Sequence, residues 1–377
     1  MRLGDAATFI NGYPFKPSDW SNIGLPIIRI QNLTESSQNI NYYAGQIDKR
    51  YLIQDGDVLI SWSASLGVYE WENGNAWLNQ HIFKVKFDKI PFEKSFFKYV
   101  ISAKLDHMSS VAHGATMKHV TKKNFDEITI PYPPLLEQRR LAEILSTVNL
   151  LIEQRKHQIE KLDLLAKSRF IEMFGDPTVA TDTLTRPMPD ICEIIDGDRG
   201  KNYPTLEEFS ESGFCLFLNA KNVTDKGFQF ENCMFITEQK DSILRKGKLQ
   251  RGDVVLTTRG TLGNLAFYDK SVPYEHIRIN SGMVILRMNH SLISEIFFME
   301  QFRMQLTSIK QKIASGSAQP QLPINTMNQI RMIVPPLALQ NEFAAFIEQL
   351  DKSKFTIRKS LEQLETLYRA LLQEYFG

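Results

Sequence analysis

Only three cysteines occur in 377 residues, Cys192, Cys215 and Cys233. Their odd number and the lack of any C-x-x-C pair exclude a disulfide frame and a zinc cluster of the usual spacing, so buried reduced thiols are expected. No apolar run approaches the roughly eighteen residues that a membrane span requires. The start Met1-Arg2-Leu3-Gly4-Asp5 leads into polar-interrupted sequence unlike a signal-peptide core, so a cytoplasmic location is expected. An excess of one charge is missing as well: 44 Lys and Arg face 43 Asp and Glu. Counted over residues 1–133, 134–175, 176–333 and 334–377, the two signs never differ by more than one. A broadly basic face is therefore excluded, and any contact with phosphate must come from a local concentration of cations. The chain also lacks G-x-x-x-x-G-K-[ST], H-E-x-x-H and G-x-S-x-G, which removes the minimum chemistry of NTPases, zincins and α/β-hydrolases. An adenine methyltransferase needs Asn or Asp before Pro-Pro; here Tyr132 and Val334 stand in those places.

What is present is ordinary globular composition, 43% apolar and 11% aromatic, in a length suited to two or three domains. A repeat organises it. Gly114-Ala115-Thr116 and Gly316-Ser317-Ala318 open stretches that stay in step at an offset of 202 residues. They run through Pro133-Pro134-Leu135 and Pro335-Pro336-Leu337, and Gln138 and Gln340, to Phe174-Gly175 and Phe376-Gly377. Upstream, Gln54-Asp55-Gly56-Asp57-Val58 answers Gln250-Arg251-Gly252-Asp253-Val254 at an offset of 196, and Gln31-Asn32-Leu33-Thr34 answers Lys221-Asn222-Val223-Thr224 at 190. The halves differ by insertions in their first parts while their endings are locked in length, which points to a length-critical element.

Before each Pro-Pro, short β-rich runs alternate with Gly, Asn and Pro turns. Strands are expected near Pro26–Ile30, Asp57–Trp62, His81–Phe87 and Glu127–Pro131, with a helix over Ser95–Met108. In the second half they fall near Cys215–Asn219, Asp253–Thr258, Gly282–Met288 and Gln329–Val334, with a helix over Glu295–Ile313. Each half thus predicts an α+β domain. After each Pro-Pro, which suits a helix entrance, about forty residues run without Gly or Pro. Val148, Ile152, Arg155, Ile159, Leu162, Ala166, Arg169 and Met173 step by four and three there, as do Leu350, Lys354, Ile357, Leu361, Leu364, Tyr368, Leu371 and Tyr375. The spacing predicts a helix pair. Because the copies are in tandem, the simplest arrangement is a pseudo-twofold with antiparallel helices between two globular domains. Residues 147–174 would span roughly 42 Å, enough for a ruler of about a dozen base-pair steps; a plain packing or dimerisation element is the alternative.

The doubled helix entry, Pro133-Pro134-Leu135-Leu136-Glu137-Gln138 and Pro335-Pro336-Leu337-Ala338-Leu339-Gln340, closes on Phe174-Gly175-Asp176-Pro177 in the first copy and Phe376-Gly377 in the second. With it, nearly the whole chain resembles the DNA-specificity subunit of type I restriction-modification systems. The resemblance implies an α+β protein of two target recognition domains (1–133 and 176–333) and two conserved helical regions (134–175 and 334–377) that form an antiparallel coiled coil. It further implies that each domain reads half of a split, asymmetric site in double-stranded DNA, that two methyltransferase subunits and then restriction subunits dock on the scaffold, and that the chain performs no bond chemistry itself. Leu339 stands where the first copy has Glu137, which makes the two docking surfaces inequivalent.

Under that reading, the loops expected to touch DNA keep their position between halves but differ in chemistry, as base reading requires. One is Ser61-Trp62-Ser63-Ala64-Ser65, opposite Thr258-Arg259-Gly260-Thr261; Arg259 is placed to be bidentate to guanine. A second is His113, Thr116, Lys118, His119 and Lys122, opposite Ser317, Gln319 and Gln321. A third is Asn11, Tyr13 and Lys16, opposite Arg199, Lys201 and Asn202. Strand-end groups complete the set: Arg29, Gln31 and Asn32; Asn219, Lys221 and Asn222; Asn79 and Gln80; Asn280 and Ser281. No metal or other cofactor is expected. His113 and His119 lack a third ligand, and Asp225 with Glu238 and Lys240 matches a nuclease acid pair plus lysine only at loose spacing. Two other readings stay open: a specificity subunit for a type IIB-like combined methyltransferase-nuclease, and a coiled-coil adaptor that does not bind DNA.

Overall fold

The computed structural model describes residues 1–63, 65–111, 122–180, 185–314 and 321–377. The chain divides into two compact units, Met1–His157 with Arg358–Gly377, and Gln158–Ile357.

In the first unit an antiparallel sheet orders its strands Thr8–Asn11, Ile82–Lys86, Val58–Ser61, Gly67–Glu70. A second sheet orders Asn41–Tyr43, Leu25–Ile28, Ala76–Leu78, Leu52–Ile53, with its two central strands parallel. The central strand Val58–Ser61 is buried at every position because its two faces meet different layers. Val58 and Ile60 pack with Phe96, Phe97 and Val100 of the helix Lys94–Val111, whereas Leu59 packs with Ile28, Ile53 and Leu78 of the second sheet. Alternating side chains thus bind three layers together, which is why the sequence here is a continuous apolar run and not an alternating one.

The second unit repeats the plan. Its antiparallel sheet runs Cys192–Asp196, Met283–Met288, Val254–Thr257, Leu265–Phe267, and a smaller sheet runs Phe235–Ile236, Cys215–Leu218, Ile277–Ile279 with the last pair parallel. Val254 and Leu256 face Phe297, Phe298 and Phe302 of the helix Glu295–Ala314, and Val255 faces Leu216, Leu218 and Ile277. Cys192 and Cys215 are buried, and burial, joined at Cys215 by Asp241, pushes both thiols up to about 12, so they are inert core groups at neutral pH.

The repeated Gln-x-Gly-Asp-Val motif is a turn. Asp57 Oδ2 accepts from the Gln54 amide at 2.8 Å, and Asp253 Oδ2 from the Gln250 amide at 2.7 Å. The glycine between them, Gly56 or Gly252, sits at φ +82° or +96°, which only glycine adopts without cost. One expectation fails: no ladder forms over Glu127–Pro131, where a single bridge joins Thr129 to Arg2. Its partner segment leaves the pairing at Leu3 to start the helix Leu3–Ala6. In the second half Thr185–Pro187 precedes the matching helix, and Arg331–Ile333 does pair with it.

Two helices of 40 residues follow the Pro-Pro steps, Leu135–Phe174 and Leu337–Phe376. The glutamine of each entry is fully buried and explains the motif. Gln138 Oε1 accepts from the Glu93 amide at 3.0 Å while its Nε2 donates to the Pro133 carbonyl at 2.8 Å. Gln340 Oε1 accepts from the Ser294 amide at 2.9 Å, and its Nε2 donates to Leu292 and Pro335 carbonyls, both at 2.8 Å. Each glutamine therefore ties the start of a long helix to the start of the helix Lys94–Val111 or Glu295–Ala314, satisfying backbone groups that a helix start leaves open.

Every member of the expected seam is buried or half-buried. Within the second unit Lys354 Nζ meets Asp163 at 2.7 Å, Arg169 meets Glu342 at 3.2 Å, and the Phe170 and Phe343 rings lie 5.4 Å apart. Numbers rise on one helix as they fall on the other, so the segments are antiparallel there. In the first unit Lys156 lies in the field of Glu365, and Phe376 packs against Phe96 at 5.5 Å. Its counterpart Phe174 packs against Phe297 at 4.9 Å in the second unit.

Candidate nucleic-acid interface

The turn after each central strand is built by a buried hydroxyl. Ser61 Oγ donates to the Ser65 carbonyl at 2.5 Å, and Thr257, its counterpart, donates to Thr261 and accepts the Asn264 amide. Ser61 is thus structural, as its burial shows; Ser63 and Thr258 are buried as well, Thr258 donating to the Gly282 carbonyl at 3.0 Å, so the side chains presented are the half-buried Trp62 in the first unit and the exposed Arg259 in the second. Trp62 is half-buried, stacked on Phe83 at 5.6 Å and edge-on to His81 at 5.5 Å, with its indole N–H reaching Asn11 Oδ1 at 3.3 Å. Ser63 is buried and Ser65 exposed. Arg259 is exposed; its amide donates to the Gly282 carbonyl at 3.2 Å, and its side chain has no hydrogen-bond or ion-pair partner among the described residues.

Around Trp62 the first unit gathers Asn11, Tyr13, Asn79 and Gln80. The backbone of Gly12 lies so near Asn79 that a Cβ would come within 2.1 Å of its carbonyl oxygen. Tyr13 bridges Asn79, whose amide donates to the Ile28 carbonyl at 3.1 Å. That bond leads to the turn of Arg29, Gln31 and Asn32. Arg29 lies over the exposed Trp20 ring at 4.3 Å; its Nη2 is buried without a described partner, and burial lowers the guanidinium pKa from its ordinary value. Asn32 is committed to the loop, accepting from the Arg29 amide and donating to the Ser37 and Asn39 carbonyls. Lys16 is exposed, and Lys122 is paired with Asp126 at 2.6 Å in the short helix Lys122–Asp126.

In the second unit three loops named from the sequence come together. Arg199, Thr258, Arg259 and Gln321 line one concavity of about 230 Å³, closed on one side where the Leu322 amide donates to the Thr258 carbonyl at 3.0 Å. The Arg199 guanidinium is held by Asp196 at 3.1 Å and by the Ser281 carbonyl at 3.3 Å. Asn280 and Ser281 are half-buried beside it, Asn280 accepting the Gly282 amide on its side chain. Thr261 reaches the Ala220 carbonyl at 3.4 Å, which joins the turn of Asn219, Lys221 and Asn222 to the same surface. Lys221 is exposed, Asn219 caps its amide, and Asn222 is fully buried with its amide spent on the Asn219, Gln229 and Glu231 backbone. Lys201 is exposed and Asn202 half-buried. His113, Thr116, Lys118, His119, Ser317 and Gln319 lie outside the described residues.

One pairing of the halves shifts. Gly197, not Gly200, is the counterpart of Gly12: its Cβ would come within 2.3 Å of the Asn280 oxygen, as Gly12 does at Asn79. Tyr13-Pro14 then matches Tyr203-Pro204, and Asp198–Asn202 is an insertion of the second half that brings Arg199 and Lys201 with it. The sequence reading also missed Trp20, which supports Arg29, and two basic dipeptides, Lys49-Arg50 and Arg245-Lys246, although these stand at the 196 offset already used for the Gly-Asp-Val turns. Lys240, weighed as a nuclease lysine, is paired with Glu208 at 2.9 Å. Among the described residues no three His, Cys, Asp or Glu converge as metal ligands, and no helix is long and apolar enough to cross a membrane.

Comparison with known proteins gives consistent matches. The family model described as type I restriction modification DNA specificity domain matches residues 1–162 and again 183–366. The type I restriction enzyme EcoBI specificity subunit of Escherichia coli is 22% identical over 414 residues, covering 100% of this chain and 85% of that one. The MjaVIII specificity subunit of Methanocaldococcus jannaschii is 24% identical over 410 residues, covering 99% and 90%. Among solved structures, the type I restriction-modification S subunit from M. genitalium has a TM-score of 0.56 at 17% identity, covering 100% of this chain and 95% of that chain. A chain from a structure concerned with complex assembly and conformational transition of the type I R-M system has a TM-score of 0.58 at 16% identity, covering 100% and 96%.

Proposed function

The chain belongs to the type I restriction-modification DNA specificity family, and from that premise we propose that it is a non-catalytic subunit that reads a bipartite, asymmetric sequence in double-stranded DNA. Each unit reads one half-site; the two long helices set the unread gap; two methyltransferase subunits, and then restriction subunits, act where the chain places them. The observation that carries the reading is the pair of matched surfaces, alike in backbone and different in the side chains presented: Trp62, Asn11 and Gln80 on one, Arg259, Arg199 and Gln321 on the other. Arginine in fork geometry suits guanine O6 and N7, and amides suit adenine. Buried Ser61, Thr257 and Asn222 build the loops and are left out of the reading set.

Protein docking is supported by the long helices. Leu136, Leu150 and Leu164 recur every fourteen residues on the first helix and are 80%, 57% and 63% exposed. Apolar side chains so displayed are suited to a partner surface. The test is co-expression with a methyltransferase subunit followed by methylome sequencing. A split adenine-methylated motif is expected; co-purification without any site-specific methylation supports the adaptor reading instead. Deleting four residues within Gln154–Ser168 shortens a helix by roughly 6 Å, so the motif should keep both half-sites and change its gap, or methylation should be lost. An unchanged gap contradicts the ruler.

A further inference from the structure

The two halves build one turn from different scaffolds yet display the same charges on it. In the first unit Lys49–Tyr51 form a single 3-10 turn, capped where Asp48 accepts the Arg50 amide at 2.9 Å. In the second unit the matching turn is shaped from inside. Arg278, buried, donates to Asp241 at 2.5 Å and to the Leu244 and Lys246 carbonyls at 2.9 and 2.7 Å. The strand register puts Trp77 in place of Arg278 in the first half. With no shared internal framework, nothing in the folding of the turn requires a basic dipeptide at its surface. Both halves nevertheless have one, Lys49-Arg50 and Arg245-Lys246, all four side chains exposed.

Each dipeptide also sits beside the candidate interface. Tyr51 stacks edge-on to Tyr13 at 5.5 Å, and the Arg50 guanidinium lies over the Tyr51 ring at 4.7 Å with Nη2 on its hydroxyl at 2.6 Å. In the second unit the Arg245 amide donates to Asp198 at 2.6 Å, and a Cβ on Gly247 would come within 3.2 Å of Gly197, next to Arg199. Lys49, Arg245 and Lys246 have no side-chain partner among the described residues, and Arg50 has only its surface pair with Asp48 at 3.6 Å and its contact with Tyr51.

We propose that these two turns are phosphate anchors: Lys49-Arg50 and Arg245-Lys246 bind the DNA backbone in the same way on both half-sites, whatever the bases. The inference rests on the DNA-reading function proposed above. The logic is that a group repeated in both halves cannot discriminate between two different half-sites, whereas backbone contacts set register without carrying sequence.

The test uses the complex of this chain with its methyltransferase subunits and a duplex carrying the methylated motif, with affinity measured across a salt series. Each lost phosphate contact lowers the slope of log affinity against log salt by about 0.9. K49Q/R50Q and R245Q/K246Q are each expected to reduce the slope by roughly one to two, to weaken motif and non-motif duplexes alike, and to leave the methylated motif unchanged. K49R/R50K should keep the parent slope. An unchanged slope in both glutamine variants, or a changed base preference at either half-site, overturns the anchor. If the parent complex itself fails to discriminate its motif from other duplexes, the DNA-reading function fails instead, and the two failures are distinguishable.

Discussion

The turn after the central strand is made twice, and the two versions show how one fold serves two readings. Ser61 and Thr257 occupy the same place and do the same work, donating to a carbonyl four residues on. The next two positions diverge completely: Trp62 and Ser63 against Thr258 and Arg259. Trp62 is stacked on Phe83, edge-on to His81 and hydrogen-bonded to Asn11, so its ring is half-buried. The Arg259 amide helps to build its turn by donating to the Gly282 carbonyl at 3.2 Å, while its guanidinium is exposed and without a partner among the described residues. What the halves share is scaffold or common contact, and what they do not share is available for discrimination.

The comparison can be broken most severely at the buried ion pair Asp241–Arg278 of the second half, where the first half has Trp77 at the register position of the arginine. Asp241 is 3% exposed and Arg278 5%. Removing the carboxylate in Asp241→Ala leaves an uncompensated guanidinium, at a cost of about 3–5 kcal/mol. Hydrogen exchange should show faster opening at Cys215–Leu218 while Leu25–Ile28 stays as before; equal loosening in both would contradict it. Burial disfavours the charge on Asp241, but hydrogen bonds from Lys248 and Arg278 outweigh this and hold its pKa below the usual carboxylate range. Its contribution is therefore present at neutral pH and is lost as pH falls through that lowered value, so acid should loosen the second unit's small sheet through this residue, and Asp241→Ala should flatten that dependence.

A smaller effect is expected at both helix entries. Gln138→Ala and Gln340→Ala each strand buried backbone groups, at roughly 1–3 kcal/mol, and calorimetry should find Gln340→Ala the more damaging because it makes three such bonds against two. Smallest in energy but sharpest in meaning is Arg259→Ala. It should relax the methylated motif at one position of one half-site, worth about 1–3 kcal/mol, with melting temperature unchanged; relaxation in the half-site read by the other unit would refute the assignment.

Much of this organisation was legible from residue pattern. The 202-residue offset located both long helices, and their four-and-three seam named the positions that turned out to be packed, including Lys354, which the structure pairs with Asp163. Strands such as Gly67–Glu70 and Ala76–Leu78 were missed because they are short and lack clear alternation. Within the loops, residue type alone could not separate Asn222, whose amide is consumed by its own turn, from Gln80 or Gln321, since both fates suit an amide side chain. The insertion Asp198–Asn202 was mis-paired because Gly200 offered a false partner for Gly12, and only the close approach of Gly197 to Asn280 fixes the true one.

The most direct test of the two-reader account is to exchange residues 1–133 for the corresponding segment of another member of the family and sequence the methylome of cells carrying the complete system. One half of the split motif should change while the other half and the gap stay as they were. A motif that changes in both halves, or in neither, would contradict it.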